Sequence, residues 1–113
     1  MNVFSSDRKV STTSFQRLQT AFFQLAEAKM SDTQKTVLKL SRQLLKFNDL
    51  SVTALADLVS RRSKVPYSTT KWNLRSLKEM GLLTGGDSHR KGERARLTRE
   101  AQMLADYFNK EEL

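Results

Sequence analysis

Apolar residues recur at helical spacing along most of the chain, and one segment with a different period interrupts them. Leucine, valine and phenylalanine residues three or four positions apart mark the inner faces of amphipathic helices. From residue 94 to residue 97 the order Arg-Ala-Arg-Leu instead alternates polar and apolar side chains, as a half-buried β-strand does. With Leu82-Leu83-Thr84 before a loop rich in glycine and charge, this alternation predicts a β-hairpin. The predicted fold is therefore mainly α with one small hairpin.

Five helices are predicted around this hairpin. The first begins at Ser11 or Thr12 and ends near Met30, and the second runs from Ser31-Asp32 to about Phe47. A short third helix is capped by Ser51, a fourth begins at its N-cap Ser68 and ends at Gly81, and Thr98 caps the last. Residues 1–10 show no period and are expected to form a flexible tail. The residues predicted to face the core are Val37, Leu40, Leu44 and Phe47 in the second helix, Val52, Leu55, Ala56 and Val59 in the third, Thr70, Leu74 and Leu77 in the fourth, and Ala101, Leu104, Ala105 and Phe108 in the last.

Positive charge is concentrated in one third of the sequence. The chain of 113 residues has 20 Lys and Arg against 12 Asp and Glu, a formal net charge of +8. Residues 61–96 contain 10 of the basic residues and only three acidic ones. A solubilising surface would not segregate charge in this way, whereas a polyanion-binding surface does. Nucleic acid is the first candidate partner and an anionic membrane surface the second.

The composition excludes several other classes. The chain has no Cys and one His, His89, so disulfide scaffolds, thiolate metal sites and cysteine nucleophiles are ruled out. No nucleophile–base pair or pair of carboxylates on one predicted face can be assembled. We therefore expect no enzyme, no catalytic residue, no metal and no cofactor. No apolar run reaches membrane-span length, and the N-terminus lacks a signal-peptide core, so a soluble cytoplasmic protein is expected.

Three segments resemble a winged helix-turn-helix domain. The run from Leu50 to Val59 is similar to its short strand and supporting helix, and residues 67–83 are similar to its recognition helix and first wing strand. The run from Leu97 to Ala101 is similar to its second wing strand entering the closing helix. The resemblance is to archaeal and bacterial transcription regulators of the MarR and ArsR kind, with an extra N-terminal helix and a C-terminal helix. It implies one domain over residues 11–113, with a flanking helix at 11–30, the helix-turn-helix and wing at 50–98, and a closing helix at 99–112. Two departures are a long connection from Ser60 to Tyr67 and Thr70 at a position usually occupied by a branched aliphatic residue.

The resemblance and the helical phase together select candidate DNA-binding residues. With Thr70, Leu74 and Leu77 facing inward, the residues that point outward at 100° per residue are Ser68, Trp72, Arg75 and Glu79. The family places contacts on the first two turns of this helix, and its basic wing reaches the phosphate backbone or the minor groove. The candidates are Ser68, Thr69, Lys71, Trp72, Asn73, Arg75 and Lys78 on the helix, Arg61, Arg62 and Lys64 before it, and His89, Arg90, Lys91, Arg94 and Arg96 in the wing.

Two alternatives stay open. Trp72 either contacts DNA, for instance a thymine methyl or a sugar, or packs on Tyr67, Pro66 or the wing. The first helix either covers the core of its own domain or pairs with a second copy, since relatives commonly dimerise through flanking helices. The candidate dimer residues are Phe15, Leu18, Phe22 and Leu25 on the first helix, and Tyr107 and Phe108 on the last.

The leading hypothesis is a homodimeric, nucleoid-associated transcription regulator that binds double-stranded DNA, with the recognition helix in the major groove. A non-specific architectural DNA-binding protein is one alternative. A protein-interaction module of a transcription or replication complex is another. The sequence does not indicate an effector ligand.

Overall fold

The computed structural model describes the backbone of residues 3–86 and 93–111 and the side chains of residues 13–86 and 93–110. The chain divides into two compact units, Met1–Met30 and Ser31–Leu113. The division lies at the Ser31-Asp32 pair, where the sequence predicts that the first helix stops. Within the described residues, no helix is both long enough and apolar enough to cross a membrane.

The first unit is one long helix, α1 (Val3–Lys29). It begins well before the predicted N-cap at Ser11 and so includes most of the segment that was expected to be a flexible tail. The difference has a simple cause: no Gly or Pro lies between Val3 and Lys29, so no residue there opposes helix strongly. A lack of apolar period indicates only that a segment has no buried face.

The second unit contains four helices and a two-stranded hairpin. Its elements are α2 (Asp32–Phe47), α3 (Val52–Ser63), α4 (Tyr67–Glu79), β1 (Leu83–Thr84), β2 (Arg96–Leu97) and α5 (Arg99–Glu111). Helix α2 packs against α3, α4 and α5, and α3 packs against α4. The prediction of a mainly α fold with a small hairpin is confirmed.

Hydroxyl side chains start three of these helices, as predicted. The Ser31 hydroxyl accepts a hydrogen bond from the Gln34 amide at 3.1 Å, and the Ser51 hydroxyl accepts one from the Ala54 amide at 3.2 Å. Thr98 does the same for the Ala101 amide at 3.2 Å. Each bond satisfies an N–H group that the helix itself cannot pair.

The connection between α3 and α4 is a tight turn, and the prediction of a long one is wrong. Helix α3 continues to Ser63, Lys64 adopts a left-handed conformation (φ 62°) and Pro66 is the N-cap of α4, so Ser68 is not the cap. The Ser60 hydroxyl donates to the Val65 carbonyl at 2.6 Å, and the Ser63 hydroxyl accepts from the Val65 amide at 3.1 Å. These hydrogen bonds close a turn that the basic, polar composition of the segment conceals.

The core of the second unit follows the predicted faces with one main exception. Leu38, Leu55, Leu74, Leu77 and Leu104 are fully buried. Phe47, predicted to face inward, is 80% exposed. The buried face of α2 is formed by Val37, Leu38, Ser41 and Leu44, which rotates Phe47 out of the core.

The hairpin is antiparallel and is paired to the start of α3. Leu83 lies opposite Leu97 and Thr84 opposite Arg96. Ser51 forms a bridge with Arg94, and the Ala95 amide donates to the Leu50 carbonyl at 2.7 Å. Ala95 and Leu97 are buried while Arg94 and Arg96 are exposed, so the alternation predicted from the sequence is confirmed.

Candidate nucleic-acid interface

Helix α4 has a buried face and an exposed polar face. Thr70, Leu74 and Leu77 are fully buried in the second unit, as the helical phase predicts. The opposite side exposes the candidates on the first two turns, namely Ser68, Thr69, Lys71, Trp72 and Arg75. A recognition helix needs this division, because one face holds it in the domain and the other is presented to the groove.

Asn73 does not lie on the exposed face. It is only 6% exposed, and its side-chain amide donates to the Thr69 carbonyl one turn earlier at 2.8 Å. The predicted contact of Asn73 with DNA therefore has little exposed side chain to make it in this arrangement. Because the helix backbone supplies a hydrogen-bond acceptor, this polar side chain can be buried beside Leu74 and Leu77 without losing its partner.

Trp72 is the most exposed apolar side chain of α4, with 66% of its surface accessible. Within the described part of the chain it makes no hydrogen bond or ring contact. Tyr67, one of its proposed packing partners, is itself 40% exposed. The tip of the wing, another of its proposed packing partners, lies outside the described residues, so both alternatives for Trp72 stay predictions.

The N-terminus of α4 has no side-chain cap. Pro66 occupies the N-cap position and offers only its carbonyl, which accepts from the Thr70 amide at 2.9 Å. The amides of Tyr67, Ser68 and Thr69 are thus left without a capping side chain. Free N–H groups at a helix N-terminus form a favourable site for an anion such as phosphate.

Basic side chains lie immediately before this helix end. Arg61, Arg62 and Lys64 are exposed at the end of α3 and in the turn that leads to α4. Arg61 forms an ion pair with Asp57 at 3.2 Å, so its charge is partly compensated. Among the described residues, Arg62 and Lys64 have no carboxylate partner and present uncompensated positive charge near the N-terminus of α4.

Lys78 joins α4 to the wing. Its ammonium group donates to the Gly85 carbonyl at 3.0 Å, although Lys78 is one of the predicted DNA-binding residues. The helix end beside it is closed by a glycine cap, in which the amides of Gly81 and Leu82 donate to the carbonyls of Lys78 and Leu77. Gly81 has φ 79°, as its predicted capping role requires. Lys78 therefore positions the wing relative to α4.

Arg94 and Arg96 border a cleft of about 290 Å³. None of the described residues that line it belongs to α4; they come from α2 and the segment after it, the second wing strand and α5, and include Arg42, Asn48 and Gln102. Arg42 lies outside the basic stretch of the sequence, so charge clustering alone does not identify it, and it pairs with Asp106 at 3.3 Å. The predicted wing residues His89, Arg90 and Lys91 lie outside the described residues.

The candidate dimer residues fall into two groups. On α1, Phe15, Leu18 and Leu25 are each at least 60% exposed, while Phe22 is half-buried with its ring 5.7 Å from that of Phe23. On α5, Tyr107 is half-buried, but Phe108 is only 4% exposed. Phe108 is a core residue of the second unit, which agrees with its predicted inward position on the last helix and does not favour its second predicted place in a dimer surface.

The described residues contain no group of three or more His, Asp or Glu side chains placed to bind a metal. The exposed surface of α4 and of the turn before it offers hydrogen-bonding groups, positive charge and two aromatic rings, Tyr67 and Trp72. These features can hold a polyanion and discriminate among its groups.

Comparison with solved structures identifies the fold. MepR, a transcription regulator of the multidrug efflux pump MepA of Staphylococcus aureus, is similar over 97% of this chain and 76% of its own, with a TM-score of 0.56 and 17% identity. A MarR family protein from Bacillus stearothermophilus is similar over 98% and 75%, with a TM-score of 0.52 and 18% identity. One from Mycobacterium tuberculosis is similar over 97% and 74%, with a TM-score of 0.53 and 17% identity.

Comparison of sequences gives no further relative, since no family model matches this chain and no curated protein does. The structural likeness confirms the predicted fold and its similarity to MarR proteins. The chain has the winged helix-turn-helix fold of these MarR-family proteins.

Proposed function

We propose that this protein is a transcription regulator that binds double-stranded DNA sequence-specifically, with α4 in the major groove. The observation that carries the proposal is the division of α4 into a buried face and an exposed face rich in Lys, Arg, Ser and Thr. The winged-helix fold alone does not require positive charge on and beside α4, because a winged helix used only for protein assembly needs no uncompensated cations there. MepR, a transcription regulator of the same fold, supports the regulatory role.

Phosphate contacts would position the protein on the duplex. Lys71, Arg62 and Lys64 are exposed and lie on or just before the first turns of α4. Together with the uncapped amides at the start of α4, they can hold backbone phosphates on one side of the groove. These contacts supply affinity that falls with salt but little discrimination between sequences.

Base contacts would come from the outward face. Arg75 can donate two hydrogen bonds to a guanine edge, and the hydroxyls of Ser68 and Thr69 can bond to more than one base. Asn73 is not among them, because it is only 6% exposed and one N–H of its side-chain amide donates to the Thr69 carbonyl. Arg75 is therefore the first residue at which we expect substitution to change sequence preference.

We further propose that the protein acts as a homodimer through α1. Its exposed Phe15, Leu18 and Leu25 lie on one side of the helix together with Phe22, and an apolar stripe of this kind is covered when two copies pair. A two-fold dimer would present two α4 helices to half-sites about one DNA turn apart. Such a regulator would act in the cytoplasm, on the nucleoid.

The DNA proposal is tested by selecting preferred duplexes from a random library and measuring affinity by fluorescence anisotropy at two salt concentrations. We expect a preference of about a thousandfold or more over random duplex. Lys71→Ala should weaken both duplexes and reduce the salt slope by about one ion, whereas Arg75→Ala should mainly reduce the preference. Lys110→Ala removes the same charge from an exposed position on α5 and serves as the control.

Three other outcomes have definite meanings. Equal affinity for selected and random duplexes would support an architectural protein instead. No binding at low salt would contradict DNA binding and support the protein-interaction module. If Arg75→Ala behaves like Lys110→Ala, the assignment of α4 as the recognition helix is wrong.

The dimer is tested by light scattering after size-exclusion chromatography. Leu18→Glu places a charge in the apolar stripe and is expected to shift the protein to monomer, since the charge would lose its hydration in the interface. Thr20→Glu adds the same charge on the opposite, exposed side of α1 and should leave the dimer intact. A monomeric wild-type protein at micromolar concentration would contradict the proposal.

A further inference from the structure

Trp72 is an apolar group in a polar surface. It is the only Trp in the chain, and 66% of its side chain is accessible. Exposing a large aromatic ring has no folding advantage, because burying it would remove more than a hundred Å² from water. Its position on the outward side of α4, directly across from fully buried Thr70 and Leu74, fixes where the ring is presented.

The residues that neighbour Trp72 indicate which class of partner its ring contacts. Lys71 precedes it, and Arg75 lies one turn later on the same side of the helix. Ser68 lies one turn earlier, and Glu79, the one acidic residue of α4, lies two turns later on the same side. A partner that covers this ring must also accommodate two cations, which favours a polyanion over an apolar protein surface.

The major groove offers an apolar side chain one distinctive target. Each base pair presents hydrogen-bond donors and acceptors there, and thymine adds a C5-methyl group. An indole ring cannot accept hydrogen bonds and has only its N–H to donate. The chemistry of Trp72 therefore matches the thymine methyl better than any other group on a base edge.

We propose that Trp72 is a specificity-determining residue that recognises a thymine by packing its indole ring against the C5-methyl group. The proposal rests on the proposed DNA-binding function and adds the identity of one recognised group. It predicts that removing the methyl from one thymine of each half-site weakens binding, although the hydrogen bonds of the base pair are unchanged.

The experiment replaces each thymine of the selected duplex by deoxyuridine, one position at a time, and measures affinity by anisotropy. At the recognised position we expect a loss of about fourfold for each methyl contacted. Trp72→Ala should bind the thymine and deoxyuridine duplexes equally, while Trp72→Phe should retain part of the preference. Lys71→Ala is the matched control: it should weaken both duplexes and keep their ratio unchanged.

The outcomes separate this inference from the function on which it rests. Sequence-specific binding without methyl sensitivity at any position overturns the inference and leaves the proposed function standing. The inference is also overturned if Trp72→Ala lowers the affinity for both duplexes by the same factor and so keeps the wild-type preference for thymine, because the ring then contacts sugar or phosphate. If no duplex binds, both proposals are refuted.

The emission of Trp72 gives a second readout that needs no variant. Since no other tryptophan contributes, a spectral shift or quenching upon saturation with the selected duplex reports directly on this side chain. We expect the change to follow the anisotropy titration. An unchanged spectrum at saturation would exclude Trp72 from the interface and overturn the inference.

Discussion

Thr70 carries a buried hydroxyl group that lacks a hydrogen-bond partner within the described part of the chain. The residue is fully buried on the inner face of α4. Replacing it with valine keeps the β-branched shape and nearly the same helix propensity, but removes the polar atom. Burying an unpaired hydroxyl costs about 1–3 kcal/mol by mutational measurements. We therefore expect Thr70→Val to raise the free energy of unfolding by about 1–2 kcal/mol.

Thermal and urea unfolding followed by far-ultraviolet circular dichroism measure this change. For a domain of 60–100 residues, 1 kcal/mol corresponds to a shift in Tm of about 4–8 °C. Thr69→Val alters the exposed neighbour and should change stability by less than about 0.5 kcal/mol. A lower Tm for Thr70→Val would refute the reasoning, because it would show that the hydroxyl gains a hydrogen bond in the folded protein. The affinity of the Thr70→Val variant for DNA should equal that of the wild type, because Thr70 faces the core.

Three other substitutions test how the wing and α3 are held. Gly85→Ala should destabilise the fold by about 1–3 kcal/mol, because an added Cβ would lie 2.9 Å from a methyl group of Val52. Urea unfolding measures this change, and an unchanged stability would show that the backbone at Gly85 shifts without cost. Lys78→Met removes the hydrogen bond to the Gly85 carbonyl and should speed amide hydrogen exchange in the wing while leaving exchange in α2 unchanged. Ser51→Ala removes the cap of α3 and should cost about 1 kcal/mol, whereas the exposed Thr53→Ala should cost much less.

Local signals predicted most of the fold. Ser31, Ser51 and Thr98 were identified as helix starts because a hydroxyl that caps a helix acts within three residues. Gly81 was identified as a helix end for a similar reason, since only a short segment must adopt the left-handed conformation. The polar–apolar alternation of the second wing strand was sufficient because one of its faces is buried.

Two of the differences between prediction and structure arise where a polar side chain satisfies its hydrogen bonds within its own helix or turn, and a third, at Phe47, has another cause. Asn73 is buried because the Thr69 carbonyl accepts from its amide, and hydropathy does not register that bond. The end of α3 was misplaced because Ser60 and Ser63 bond to the Val65 backbone, so a tight turn has the composition of a loop. Phe47 was placed inside because a small rotation of α2, which buries Ser41, cannot be deduced from the spacing of apolar residues.

For the candidate interface, the sequence predicted that α4 carries the exposed polar face and that the surface around it is positively charged. The individual roles depended on geometry. Lys78 looked like any other cation of the basic stretch, but its distance from the Gly85 carbonyl makes it a positioning residue. Arg94 and Arg96 border a cleft with α2 and α5, which no linear pattern could indicate.

The hydrogen bond from the Ala95 amide to the Leu50 carbonyl has a consequence for the order of folding. It joins residues far apart in sequence, whereas α3 and α4 are connected by a three-residue turn and can pack early. Closing such a long loop costs entropy that must be met before the wing contacts form. The wing is therefore expected to assemble after the transition state, and mutations that weaken it should accelerate unfolding while leaving the rate of folding nearly unchanged.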